Sequence, residues 1–138
     1  MELLSGNEAI AQGAWEAGAD IGVAYPGTPS TETMEELAKK EGVYAEWCTN
    51  EKVAMEVGLG AAAAGAKVLV TMKHVGVNVA ADPLFTAAYT GVGGGMVILA
   101  ADDPGMYSSQ NEQDSHYYAQ AAAIPCLDPA DSAEALRF

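Results

Sequence analysis

The sequence predicts an α/β fold, a doubly wound parallel sheet of about five strands with helices on both faces. Three observations carry this. Short apolar runs of strand length alternate with helical stretches along the chain. Those runs are almost continuously hydrophobic, as strands buried on both faces are, instead of alternating with polar residues. Glycine or proline punctuates most of the junctions between them.

The elements follow in order. Ser5 and Glu8 have capping-box spacing and open a helix with Ile10, Ala14 and Ala17 on one face, stopping at Gly18. "IGVAYP" (Ile21 to Pro26) is a short buried strand, broken by Pro26 and Gly27. Thr28 is placed to cap the next helix, with Pro29 in its first turn and Gly42 at its end. "VYAEWC" is a second strand, and Asn50 is an N-cap for a helix that starts with Glu51 and runs to about Gly65. "KVLVTM" (Lys67 to Met72) is a third strand. A helical stretch follows it, restarts at Asp82-Pro83 and ends near Gly91. "MVILAA" (Met96 to Ala101) is a fourth strand. Ser109 and Glu112 repeat the capping-box spacing and open a helix towards Ala122. "IPCL" reads as a weaker fifth strand, and Asp128-Pro129 begin a last helix. Residues 1–138 read as a single domain, and the closing "SAEALRF" starts a helix and stops, as expected of a chain truncated from a longer one.

Composition narrows the partners. Six basic against 19 acidic residues give a formal charge of −13, which repels nucleic acid and anionic membranes. No apolar run reaches membrane-span length, and the first residues have neither a basic nor an apolar leader region. Cys48 and Cys126 form no CxxC pair, which suits a reducing compartment, so the cytoplasm is the expected location. Two cysteines also exclude an iron–sulfur or zinc site built from this chain alone.

The polar motifs are unevenly distributed. Loops that follow strands read "YPGTPST", "CTNEK", "KHVGVN" and "ADDPGMYSSQNEQD"; loops that precede strands read "AGAD", "KKEG", "AGAK" and "TGVGGG". All strand C-termini of an open parallel sheet share one edge, where ligands bind at the topological switch point. The chemically rich loops therefore collect on the binding edge. "GVGGG" lies on the other edge, precedes a strand and lacks a Lys-Ser/Thr pair, so it reads as a flexible connection and not a phosphate loop. In "YPGTPS", a plain helix start explains Thr28 and Pro29 but not Pro26-Gly27, which let the backbone approach a ligand closely. Lys73 and His74 either neutralise acidic loops or recognise an anionic substrate; their position favours the second. The acids of "ADDPGMYSSQNEQD" lack the order of a calcium loop, so no metal site is expected in this chain. Glu51 has two readings: a first-turn acid favoured by the helix dipole, or a reactive carboxylate aimed into the cleft.

Taken together, "GNEAIAQGAWEAG", "YPGTPST", "NEKVAMEVGLGAAAAG", "MKHVGVNVAADPL" and "ADDPGMYSSQNEQD" resemble the N-terminal region of indolepyruvate:ferredoxin oxidoreductase alpha subunits, within the 2-oxoacid:ferredoxin oxidoreductase group. The resemblance spans about Leu3 to Ala135. It implies a pyrimidine-binding domain of a thiamine-diphosphate enzyme, with the cofactor in a cleft shared with a separate pyrophosphate-binding domain. By this resemblance Glu51 hydrogen-bonds the aminopyrimidine ring and promotes loss of the thiazolium C2 proton, as a donor that burial between domains keeps protonated. Gly27 and Thr28 then lie near the cofactor, Thr28 also near the substrate, and Lys73 and His74 near the substrate's carboxylate or its indole group. The implied reaction decarboxylates a 2-oxoacid oxidatively, passes electrons through iron–sulfur clusters to ferredoxin and delivers the acyl group to coenzyme A. The implied partners are the pyrophosphate-binding domain, a beta subunit and an oligomeric complex. The family's "GDG…N" pattern, which holds magnesium and pyrophosphate, and its cysteine clusters do not occur here, so the chain is expected to be half an active site and inactive alone. Rival readings are a different 2-oxoacid, a non-catalytic assembly domain, or a flavodoxin-like binding domain.

Overall fold

The computed structural model describes residues 3–138. Its centre is a parallel sheet of four strands, β1 (Ile21–Ala24), β2 (Tyr44–Trp47), β3 (Val68–Lys73) and β4 (Met96–Ala101), in the order β2-β1-β3-β4. Register is continuous across the middle: Val70 pairs with Val23 on one side and Ile98 on the other. The helices are α1 (Gly6–Glu16), α2 (Thr31–Leu37), α3 (Glu51–Ala63), α4 (His74–Val79), α5 (Ala81–Thr90), α6 (His116–Ala122) and α7 (Ser132–Arg137).

Side-chain alternation along β3 divides the core in two. Val68, Val70 and Met72 face Ala54, Met55 and Ala62 of α3, Val77 of α4 and Leu84 of α5. Leu69 faces the opposite way, into Ala11 of α1 and Met34 and Leu37 of α2. Met34, Leu37, Met55 and Met72 are almost completely buried, each a stabilisation of about 1.5–3 kcal/mol relative to exposure. Glycine lets α3 settle onto the sheet: a Cβ on Gly58 would stand 2.8 Å from Val70 Cγ2. The α/β class and helices on both faces are therefore as expected, with every strand parallel.

Several local expectations are corrected. "IPCL" is irregular and not a fifth strand; Pro125 has no N–H for a ladder, and Ile124 instead packs its side chain against the core. Thr28 does not cap α2, which starts at Thr31; Gly27 N–H donates to Thr31 Oγ1 and Ser30 Oγ donates to Gly27 O. The helix also ends before Gly42, at Leu37. Ser109 and Glu112 open no helix, because Ser109 Oγ donates to Asp103 and α6 begins at His116. The last helix is capped by Asp131, whose carboxylate accepts from Ala133 N and Glu134 N, and not by Asp128. The Gly91–Gly95 segment is no slack tether: the N–H groups of Gly93 and Gly94 both donate to Ala62 O and close the end of α3. The Ser5–Glu8 capping box and the Asn50 cap are formed as read.

Strand order fixes the place of the site. The chain leaves β1 for α2 on one face of the sheet and leaves neighbouring β3 for α4 on the other. Connections that diverge in this way open a crevice at the carboxyl ends of β1 and β3.

Candidate functional site

Glu51 is delivered to this edge by a local device. Asn50 is extended, with φ −165° and ψ 174°, and its Oδ1 accepts from Val53 N at 2.9 Å. That cap starts α3 and sets Glu51 in its first turn, where a carboxylate is also favoured by the helix dipole. The Glu51 side chain is half-buried and lies against α4. A Cβ built on Gly76 would stand 2.6 Å from Glu51 Cγ and 2.7 Å from Oε1. Among the described residues, no ion pair or hydrogen bond occupies the Glu51 carboxylate. The adjacent Lys52 is turned elsewhere, 2.9 Å from Asp82 Oδ2.

The other side of the crevice is built on the end of β3. The stem of Lys73 runs over Gly27, where an added Cβ would meet Lys73 Cδ at 3.2 Å. Glycine at 27 thus brings the backbone after β1 close to Lys73. The Lys73 ammonium donates to the carbonyl of Ser108 at 2.9 Å. His74 is wholly buried, and its Nε2 lies 2.9 Å from the carbonyl of Asn111. A carbonyl only accepts, so Nε2 carries the hydrogen. Nδ1 is buried without a partner. Lys73 and His74 together tether the loop of residues 102–115 over the edge.

That loop is organised by its own acids. Asp103 accepts from Ser108 N at 2.9 Å and Ser109 Oγ at 2.7 Å, and these bonds, the Ser109 hydroxyl first, hold its carboxyl below the usual carboxylate range. Asp102 takes the N–H of Ser115 at 3.0 Å. Asp102 and Asp103 are thus used as turn acceptors. Among the described residues, no group of three or more His, Cys, Asp or Glu side chains is arranged to hold a metal ion.

The sequence-predicted residues therefore share one edge in two contacts. Gly27 touches Lys73, while Glu51 touches Gly76, two positions beyond His74. Thr28 is exposed beside them. His74 works from behind, on the loop. Sequence reasoning missed Gly76 and the carbonyls of Ser108 and Asn111. For Gly76 the one signal is a glycine inside a helical stretch; for the carbonyls there is none, since every residue carries one. Chemically, the edge offers an uncommitted carboxylate, a hydroxyl and a cation, with glycines at 27 and 76 making room for the Lys73 and Glu51 side chains.

No family model matches the chain. Individual proteins do. Indolepyruvate oxidoreductase subunit IorA of Archaeoglobus fulgidus is 55% identical over 96% of this chain, and that of Methanothermobacter thermautotrophicus is 51% identical over 98%. By sequence, the chain is a homologue of part of subunit IorA. It spans about a fifth of the length of these IorA relatives, 22% in both cases. A more distant relative, 2-oxoglutarate synthase subunit KorA of Archaeoglobus fulgidus, is 34% identical over 65% of the chain. The fold that carries the IorA-like sequence recurs in a solved structure, a 2-oxoglutarate:ferredoxin oxidoreductase from Magnetococcus marinus, with a TM-score of 0.71 and 24% identity. That match covers 84% of this chain and 21% of the other.

Proposed function

We propose that residues 1–138 form the pyrimidine-binding domain of a thiamine-diphosphate-dependent 2-oxoacid:ferredoxin oxidoreductase acting on indolepyruvate or a related arylpyruvate. The observation that carries this reading is Glu51: a half-buried carboxylate at a helix start, on the carboxyl edge of a parallel sheet, with no partner among the described residues. Identity to IorA of 50–55% supports the choice of substrate class; the weaker match to KorA makes another 2-oxoacid the runner-up.

The residues present fit the aminopyrimidine end of thiamine diphosphate. Glu51 has a carboxyl without a partner among the described residues to offer a ring nitrogen, and glycine at 76 gives that side chain room at the crevice. When bound, the cofactor supplies the electron sink that lets a 2-oxoacid lose carbon dioxide. Glu51 would hydrogen-bond a nitrogen of the aminopyrimidine ring and act there as the acid–base group. Thr28 directs its hydroxyl, and Lys73 its positive charge, to the substrate's carboxylate, while His74 keeps the 102–115 loop closed behind them. A pyrophosphate-binding domain, in the same or another subunit, holds magnesium and the diphosphate. A beta subunit and iron–sulfur clusters carry electrons to ferredoxin, and coenzyme A accepts the acyl group. The proposed complex is oligomeric and works in the cytoplasm, a location for which the two cysteines without a CxxC pair speak. Separately, no helix among the described residues is long and apolar enough to cross a membrane.

The test uses the full-length subunit assembled with its partners. Indolepyruvate-dependent reduction of a viologen dye is expected to fall about 10²–10⁴-fold in Glu51→Gln, which removes the acid and keeps the shape. Equal rates would mean that Glu51 is only a helix-start charge. Comparing kcat/KM for indolepyruvate and 2-oxoglutarate in the same complex assigns the substrate.

A further inference from the structure

We infer that Gly76 is a positioning residue for the Glu51 carboxylate: its missing side chain is the space in which that carboxylate lies. This rests on the reading of Glu51 as the cofactor-facing acid, but its evidence is separate. Gly76 is buried in the first turn of α4, and its backbone is not in the left-handed region that favours glycine. Nothing local therefore asks for glycine; within a helix alanine is the better residue. What excludes alanine is tertiary. The three atoms nearest to an added Cβ all belong to Glu51: Cγ at 2.6 Å, Oε1 at 2.7 Å and Cδ at 2.9 Å.

Other glycines behave differently. Gly60 has nothing within 4 Å of an added Cβ, Gly13 faces the backbone of Leu136, and Gly58 faces valine methyls. Among the described residues, Gly76 is the glycine whose space is taken by a carboxylate. The obstacle at 76 is also a flexible side chain, which relieves the contact by rotating about its own bonds, Cγ included. An alanine there leaves the fold standing and displaces Glu51 instead. The inference therefore separates fold from function: Gly76→Ala alters where the carboxylate sits without unfolding what carries it.

The experiment is a double-mutant cycle at positions 51 and 76 in the complex assembled from full-length subunits. Three quantities are read: melting temperature, thiamine diphosphate Kd by calorimetry, and kcat. Gly76→Ala is expected to keep assembly, weaken the cofactor about tenfold and lower kcat about a hundredfold, the scale of a 1 Å misplacement. In a Glu51→Ala background the same change should raise the melting temperature and leave Kd unmoved, because the clash has gone. If Gly76→Ala does not assemble alone, the Glu51→Ala/Gly76→Ala pair should restore assembly; failure of both overturns the inference. Additive effects in melting temperature and Kd, or wild-type Kd and kcat in Gly76→Ala, also overturn it. A fully active Glu51→Gln would instead sink the proposed role of Glu51, while non-additivity in melting temperature would still report the packing of 51 on 76.

Discussion

Midway along α3, a glycine receives side chains from the sheet; at its first turn, α3 gives a side chain to a glycine on α4. At Gly58 the neighbours are Val70, Val23 and Val68, branched and locked in the core. At Gly76 the neighbour is the side chain of Glu51, from Cγ to the carboxyl group. The missing Cβ is the same in both places, but the consequence depends on what fills the gap. Stiff apolar neighbours turn a glycine into a stability requirement, because they cannot move without repacking the sheet. A flexible polar neighbour turns it into a requirement on where one functional group sits.

The contrast can be broken by substitution. Gly58→Ala should cost about 1–3 kcal/mol of stability in denaturant titration, while kcat per folded complex stays near wild type. A loss of kcat approaching that of Glu51→Gln would erase the distinction between the middle and the tip of α3. Asn50→Ala should cost about 1 kcal/mol, because Val53 N loses its acceptor, and Asn50→Asp should recover most of it. Since the cap also anchors Glu51, Asn50→Ala sharpens the comparison if kcat falls along with stability. Lys73→Met is expected to raise KM for the oxoacid more than it lowers kcat, measured in the same dye assay.

The smallest effect concerns the exposed histidine, a counterpart to buried His74. His116 Nδ1 lies 2.7 Å from Asp114 Oδ1, and this hydrogen bond raises its pKa above the ordinary 6.5. A raised folded-state pKa means that the stabilisation is full below the unfolded value and disappears as pH rises through the folded one. Asp114→Asn should therefore lower the His116 midpoint in an NMR titration and flatten that pH dependence, leaving Glu51 chemistry untouched. An unchanged midpoint would show that Asp114 does not govern the imidazole.

What the sequence disclosed was what local rules decide. The Ser5–Glu8 box and the Asn50 cap formed because both partners lie within one turn. The alternation of strands and helices was enough to bring Gly27, Thr28, Glu51, Lys73 and His74 to one edge. The misreadings share a cause, competition from partners outside the local pattern. Ser109 had the spacing of a cap but serves Asp103 six residues earlier, and Gly27 uses the hydroxyl of Thr31, so that Thr28 is left exposed. The carbonyl of Asn111, bonded to a histidine 37 residues away, had no residue type to announce it.

The tether of the 102–115 loop has an evolutionary consequence. Both of its anchors, Lys73 and His74, grip backbone carbonyls, at Ser108 and Asn111. Any amino acid supplies a carbonyl, so the tether itself places no demand on side-chain identity at 108 or 111. Those two side chains can be changed while the carbonyls that moor the loop stay where they are. A segment held in this way can take up new side chains by substitution alone, without first having to invent a new way of being held.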